Sequence, residues 1–466
     1  MVYSKTKDYT LYKGKMQDVL DTLQENSIDS IVCDPPYELN FMGKGWDNQG
    51  IAFQPDTWKH CYRVLKDGGY LLAFGGSRTF HRIACAIEDA GFEIRDTIMW
   101  LYGSGFPKSM NLGLKMDKKQ GFPDRGHRIA TASRFHPDGT FEPNGEVLPP
   151  YEAKTELGKK WQGWGTCLKP AYEPIIVARK PFKGSLVDNV IENGVGGINI
   201  DECRVEYEKT TNPATNPLYR QQNADKYKQV QGGELSNGAV SWTSGKNGVN
   251  EGGRFPANTI LTYDETDFDE VCGSMPNTKS TTTTTMANLS DKNAESGIYS
   301  KLKAERIEHF GGFNDEGNAS RYFYCAKASK KDRDEGLDLF ENVKKPEYCL
   351  QYHEGKQRNE NIFRKNIHPT VKPIELMQYL VRLVSPKGST VLDCFMGSGS
   401  TGKAVMFENR ERNANYHFIG VEMTEEYLPI CESRIDYALN KYEYDLAKQT
   451  QELKEKGIQT IFDFME

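Results

Sequence analysis

The run Val391-Leu392-Asp393-Cys394-Phe395-Met396-Gly397-Ser398-Gly399-Ser400-Thr401-Gly402 passes from an apolar strand through a glycine turn into a helix. A strand that feeds a helix in this way belongs to a parallel sheet covered by helices. Its turn brings backbone amides close to a ligand at the carboxyl end of the strand. The neighbouring sequence agrees: residues 389–394 and 418–422 read as buried strands, and residues 401–407 open a helix. Pro373 stands where another helix starts, with Leu376, Met377, Leu380, Val381 and Val384 on one face. The same alternation occupies the other end of the chain. Residues 28–33, 69–74 and 92–100 read as strands, and Phe80, Ile83, Ala84 and Ile87 space a helix over 79–90. Residues 101–350 lose this texture to Gly-, Asn-, Thr- and Pro-rich sequence, including Ser280-Thr281-Thr282-Thr283-Thr284-Thr285. Only residues 174–178 and 321–326 stand out there as apolar, strand-like islands. The expected fold is α/β, one helix-covered sheet split in sequence by a large insert.

Composition narrows the class. With 37% hydrophobic residues in 466, the chain can fill such a core. It has no apolar run of the roughly 18 residues a membrane span needs, and the first eight residues lack the apolar stretch of a secretory signal. The ten cysteines form no C-x-x-C pair and no zinc-spaced cluster, so no metal is expected. Cys33, Cys85 and Cys394 lie in apolar runs and read as reduced core thiols of a cytoplasmic protein.

Two motifs carry chemistry. Asp34-Pro35-Pro36-Tyr37 directly follows the strand at 28–33, at the end of a strand where α/β sheets bind ligands. Prolines stiffen the turn and have no N–H to donate. The Asp34 carboxylate and a prolyl carbonyl are then two acceptors suited to the two N–H groups of an exocyclic amine, with Tyr37 as a flat face for a base. The glycine turn has three readings. Gly397, Gly399 and Gly402 satisfy the dinucleotide pattern, and Gly397 to Lys403 matches a phosphate loop except that Ala404 replaces the required Ser or Thr. In the third reading, Asp393 and residues 395–399 hold the methionine part of S-adenosylmethionine. Glu422, closing its strand, can accept both hydroxyls of an adenosyl ribose and fits either cofactor. Asp34–Tyr37 has no role in a nicotinamide enzyme, which favours S-adenosylmethionine.

Asp34-Pro35-Pro36-Tyr37, then a long insert, His368-Pro369-Thr370-Val371-Lys372-Pro373, Phe395-Met396-Gly397-Ser398-Gly399 and Glu422, in that order, resemble the beta class of amino DNA methyltransferases. Phe74-Gly75-Gly76-Ser77, Gly163-Trp164-Gly165-Thr166 and Gly252-Gly253-Arg254-Phe255-Pro256-Ala257-Asn258 resemble the solitary enzymes of phages and prophages. The resemblance implies a circularly permuted, Rossmann-like methyltransferase sheet with an antiparallel last strand and an inserted target-recognition region. On that basis residues 1–182 and 351–440 are the two parts of the catalytic domain, 183–350 the insert and 441–466 a charged tail. Asp34, Pro35, Pro36 and Tyr37 become the catalytic residues; Thr370, Lys372, Asp393, Phe395, Gly397, Ser398, Gly399 and Glu422 become contacts to S-adenosylmethionine. The implied reaction is direct methyl transfer to the exocyclic amine of a base flipped from double-stranded DNA. Asp in the first motif position resembles the adenine-modifying members; a cytosine-amine enzyme and a DNA-binding subunit without its own activity are the alternatives. The class often has Gly-Asp before the catalytic strand, where this chain has Gly14-Lys15, with Asp18 nearby. A valine at Gly399 is expected to crowd the cofactor.

Net charge is −6, so any positive surface for DNA must be local. Within residues 101–135, part of a loop read as 101–168, Lys108, Lys115, Lys118, Lys119, Arg125, Arg128 and Arg134 gather against only Asp117 and Asp124. They read either as a solvated face or as phosphate contacts. A second copy of the chain is one further partner considered. Another is a bacterial sliding clamp, whose docking peptides Ile458-Gln459-Thr460-Ile461-Phe462-Asp463-Phe464 resembles.

Overall fold

The computed structural model describes residues 1–39, 49–102, 109–122, 152–205, 253–263, 323–327, 332–341 and 363–441, with a few short strands between them. Ten strands form one sheet. In chain order they are β1 (Val2–Lys5), β2 (Tyr9–Lys13), β3 (Ile28–Cys33), β4 (Leu65–Phe74), β5 (Glu93–Tyr102), β6 (Tyr172–Arg179), β7 (Thr259–Tyr263), β8 (Tyr324–Lys327), β9 (Thr390–Asp393) and β10 (His417–Glu422). Across the sheet they lie β1-β2-β10-β9-β3-β4-β6-β5-β7-β8. All run the same way except β1 at the edge and β6, which is antiparallel to both its neighbours, β4 and β5. The antiparallel strand implied by the resemblance is therefore β6, inside the sheet.

The two α/β ends of the chain are stitched strand to strand. β10 pairs with β2 from Phe418↔Tyr9 to Glu422↔Lys13, and β9 pairs with β3 through Val391↔Ser30 and Leu392↔Ile31. β7 and β8, from the segment read as an insert, extend the same sheet beyond β5.

Among the described residues the α-helices are α1 (Met16–Leu20), α2 (Pro55–Val64), α3 (Phe80–Asp89), α4 (Leu112–Lys119), α5 (Glu156–Lys160), α6 (Leu186–Asn193), α7 (Ile374–Val384), α8 (Ser400–Arg412) and α9 (Leu428–Leu439). Side chains alternate across a strand, so a central strand buried on both faces is apolar throughout. Val32, Leu72 and Phe74 point to the face covered by Leu376, Leu380, Val405 and Leu428. Ile31, Leu71 and Ala73 point to the other, under Trp58, Ile83 and Ile87. Cys33 and Cys394 are buried as expected, whereas Cys85 is exposed on α3. Among the described residues, no helix is long and apolar enough to cross a membrane.

Because β2, β10, β9, β3, β4 and β5 are co-directional, their carboxyl ends share one edge of the sheet. The amino end of β6 joins them there, at Tyr172 and Glu173.

Candidate active site

At that edge the chain leaves β3 through Asp34-Pro35-Pro36-Tyr37 into a cavity of about 1160 Å³. Lys372 reaches in from the stretch before α7. Its Nζ donates to Asp34 Oδ2 at 2.6 Å and lies 3.5 Å from Glu173 Oε2. Burial pulls the Lys372 pKa down, but Asp34 and Glu173 outweigh it and hold the ammonium above the ordinary lysine value. The ammonium also sits 4.9 Å from the ring centroid of Phe74 and 5.3 Å from that of Tyr37. Asp34 Oδ1 is buried and, among the described residues, accepts no hydrogen bond. A buried carboxylate oxygen without a donor is costly until a ligand supplies one.

Tyr37 is held at both ends. Its hydroxyl donates to Glu173 Oε2 at 2.6 Å, and its carbonyl accepts from Thr79 Oγ1 at 2.8 Å. Burial, with Asp34 and Glu173 adding to it, pushes the phenol pKa well up, so it stays neutral. Gly76 closes against the ring: a Cβ there would come within 3.2 Å of Tyr37 Cδ2.

The glycine turn forms the opposite wall. Gly397 and Gly399 have φ of 56° and 77°, the left-handed region that glycine tolerates without strain. Asp393 turns inward, its Oδ1 accepting the Phe395 N–H at 3.0 Å and its Oδ2 the Thr401 hydroxyl at 2.5 Å. Glu422 accepts the N–H of Gly397 at 2.9 Å and of Thr424 at 2.7 Å. Burial raises the pKa of both carboxyls. Behind the turn, the fully buried Arg434 donates to the Ser398 carbonyl at 2.5 Å and to the Asp332 carbonyl at 3.1 Å. A Cβ at Gly399 would lie 3.0 Å from Cys431 Cα, so valine there strikes the protein's own α9 rather than a ligand. Gly402 is likewise a packing residue, its Cβ position 2.5 Å from Phe418. Lys403, which gives the turn its phosphate-loop look, is buried with its Nζ on Glu335 at 2.8 Å. The phosphate-loop reading has no lysine left to serve it.

His368 lies between the two walls. Its Nδ1 meets the carbonyl of Thr370, and its Nε2 is 2.9 Å from where a Cβ of Gly397 would be. One cavity thus joins a carboxylate with one oxygen that, among the described residues, has no donor to a glycine turn clamped by two carboxyls. A model of the N6 and N4 DNA methylases matches residues 28–433, from the start of β3 into α9. The chain belongs to this DNA methylase family.

Type II methyltransferase M.HindIII of Haemophilus influenzae is 30% identical over 148 residues, covering 31% of this chain and 37% of that protein. Type II methyltransferase M.HpaI of Haemophilus parainfluenzae is 34% identical over 107 residues, 21% of this chain and 33% of that one. The matched segments span 37% and 33% of these relatives' length. A solved structure, PvuII DNA methyltransferase (cytosine-N4-specific), aligns with 12% identity and a TM-score of 0.37, covering 94% of this chain and 97% of that one.

Within this family member, Asp34, Pro35, Pro36, Tyr37, Thr370, Lys372, Asp393, Phe395, Gly397, Ser398 and Glu422 all line the one cavity. Lys372, read as a cofactor contact, is placed on Asp34. Glu173, which the sequence reading missed, ties that lysine to two tyrosines. Lys15 and Asp18 are both exposed. Lys115, Lys118 and Lys119 lie exposed on α4. Lys108, Arg125, Arg128, residues 280–284 of the threonine run and residues 458–464 lie outside the described residues.

Proposed function

We propose that the protein transfers a methyl group from S-adenosylmethionine to the exocyclic N6 amine of adenine flipped out of double-stranded DNA. The observation that carries this reading is Asp34 Oδ1: buried, without a donor among the described residues, and in the same cavity as the glycine turn. The donor set suits the cofactor, since the cavity wall offers the left-handed Gly397 and the carboxyl of Glu422 at a strand end. Asp393, Phe395, Gly397, Ser398 and Glu422, with Thr370 beside them, would hold it. When bound it would supply an electrophilic methyl group with a neutral thioether as the leaving group, and the proton that the methylated amine gives up would pass to water. Asp34 Oδ1 and the Pro35 carbonyl accept the amine hydrogens and orient the lone pair, while Tyr37 supports the base. No nucleophilic side chain is required. The choice of adenine rests on Asp34 as the first residue of its motif, and the bacterial cytoplasm follows from the relatives' origin.

The test is expression in a methylation-deficient bacterium followed by modification-sensitive long-read sequencing. N6-methyladenine at one position of one sequence motif is expected. N4-methylcytosine would overturn the base, and unmodified DNA beside soluble protein would overturn the activity. Asp34→Ala should lower turnover by about 10²-fold or more while S-adenosylmethionine affinity stays within about threefold. Retained turnover would show that Asp34 is not the amine acceptor.

A further inference from the structure

We infer that Glu173 is a positioning residue of this site: it locks Tyr37 and Lys372 around Asp34 and keeps the buried cluster net negative toward the substrate amine. This deepens the methyl-transfer reading above and rests on it. Glu173 enters the edge because β6 is antiparallel. Its register with Trp100 of β5, next to Ile175 opposite Phe74 of β4, sets the amino end of β6 among the carboxyl ends of its neighbours. There the carboxylate accepts from Tyr37 at 2.6 Å through Oε2 and from Tyr102 at 3.2 Å through Oε1, with Lys372 Nζ 3.5 Å away.

The charges explain why one carboxylate does not suffice. Lys372, with its side chain 8% exposed, lies 2.6 Å from Asp34 and on its own would neutralise it. An amine that takes on a methyl group becomes cationic until it sheds a proton, and a neutral pair gives that charge little stabilisation. Glu173 restores one net negative charge and draws the ammonium toward itself. The lysine occupies Oδ2 of Asp34, so Oδ1 alone is presented to the amine. Glu173 touches neither the base nor the cofactor in this scheme. It acts through Tyr37, Tyr102 and Lys372.

Glu173→Gln, nearly isosteric, separates this role from a structural one. The expected result is a kcat lower by about 10- to 100-fold with KM for S-adenosylmethionine within about twofold. A second readout needs no turnover. In protein labelled with ¹⁵N-lysine, the side-chain resonance missing from Lys372→Arg identifies Lys372, and Glu173→Gln should shift it or speed its proton exchange. A kcat within about twofold of wild type, or an unmoved Lys372 resonance, overturns the inference. So does a loss of kcat that matches a loss of folded protein. Wild-type protein that methylates no DNA would instead sink the methyl-transfer reading, while the resonance still reports whether Glu173 holds the lysine.

Discussion

The carbonyl of Thr370 decides which form of His368 the site contains. A carbonyl only accepts, so Nδ1 carries the proton and Nε2 keeps its lone pair toward the glycine turn. Burial lowers the pKa from 6.5 to about 4, so the ring is neutral at physiological pH. Between those values the unfolded chain binds the proton and the folded one does not, so stability rises with pH. The contribution is complete above 6.5 and is lost as pH falls toward 4. Urea unfolding at about pH 5 and about pH 7.5 should show wild type losing stability on the acid side, and His368→Gln losing less. Parallel losses would mean that the ring is not held neutral. At this scale the sequence is legible where a polar residue ends an apolar strand, as at Asp34, Asp393 and Glu422. It is opaque where partners are distant. Nothing near Lys372 points to Asp34, 338 positions away, and Glu173 passes for the residue just before an ordinary strand.

Among elements, α4 and α5 were hidden for a physical reason. They span eight and five residues and carry no apolar stripe. Polar bonds hold them: the buried Asp117 of α4 accepts from the N–H of Lys154 at 2.6 Å and of Thr155 at 3.0 Å, where α5 begins. Strands and long helices with a dry face announced themselves, because apolar periodicity records burial and little else. The same Asp117 anchor fixes the helix that exposes Lys115, Lys118 and Lys119, while Thr166 to Lys169 beyond α5 line the cavity. Phosphate contacts from these lysines would sit next to the flipped base. Replacing all three by alanine should weaken duplex binding and lower the slope of log affinity against log salt by up to about three. Fluorescence anisotropy of a labelled duplex across a salt series measures both. An unchanged slope with an unchanged melting temperature would return the face to plain solvation.

For the whole molecule, the sequence carried the split of one α/β domain into two ends but not the strand order that rejoins them. Parallel strands buried on both faces are nearly uniform in hydrophobicity, so they encode little about which neighbour they take. The observed order has a mechanical consequence. β9 and β10, from the C-terminal end, lie between β3 and β2 from the N-terminal end. Without them nothing joins β2 to β3, and Val32, Leu72 and Phe74 lose the cover of α7, α8 and α9. Exposed parallel edges and bare apolar faces favour aggregation. Residues 1–205 expressed alone should therefore be insoluble or lack fixed tertiary packing by near-ultraviolet circular dichroism. Co-expression with residues 332–466 should rescue a soluble complex, since the pairings β2–β10 and β3–β9 need no covalent link through the insert. A monomeric 1–205 fragment with native-like near-ultraviolet signal would show that the N-terminal part has a core of its own, and that the site is assembled between two folded bodies rather than within one sheet.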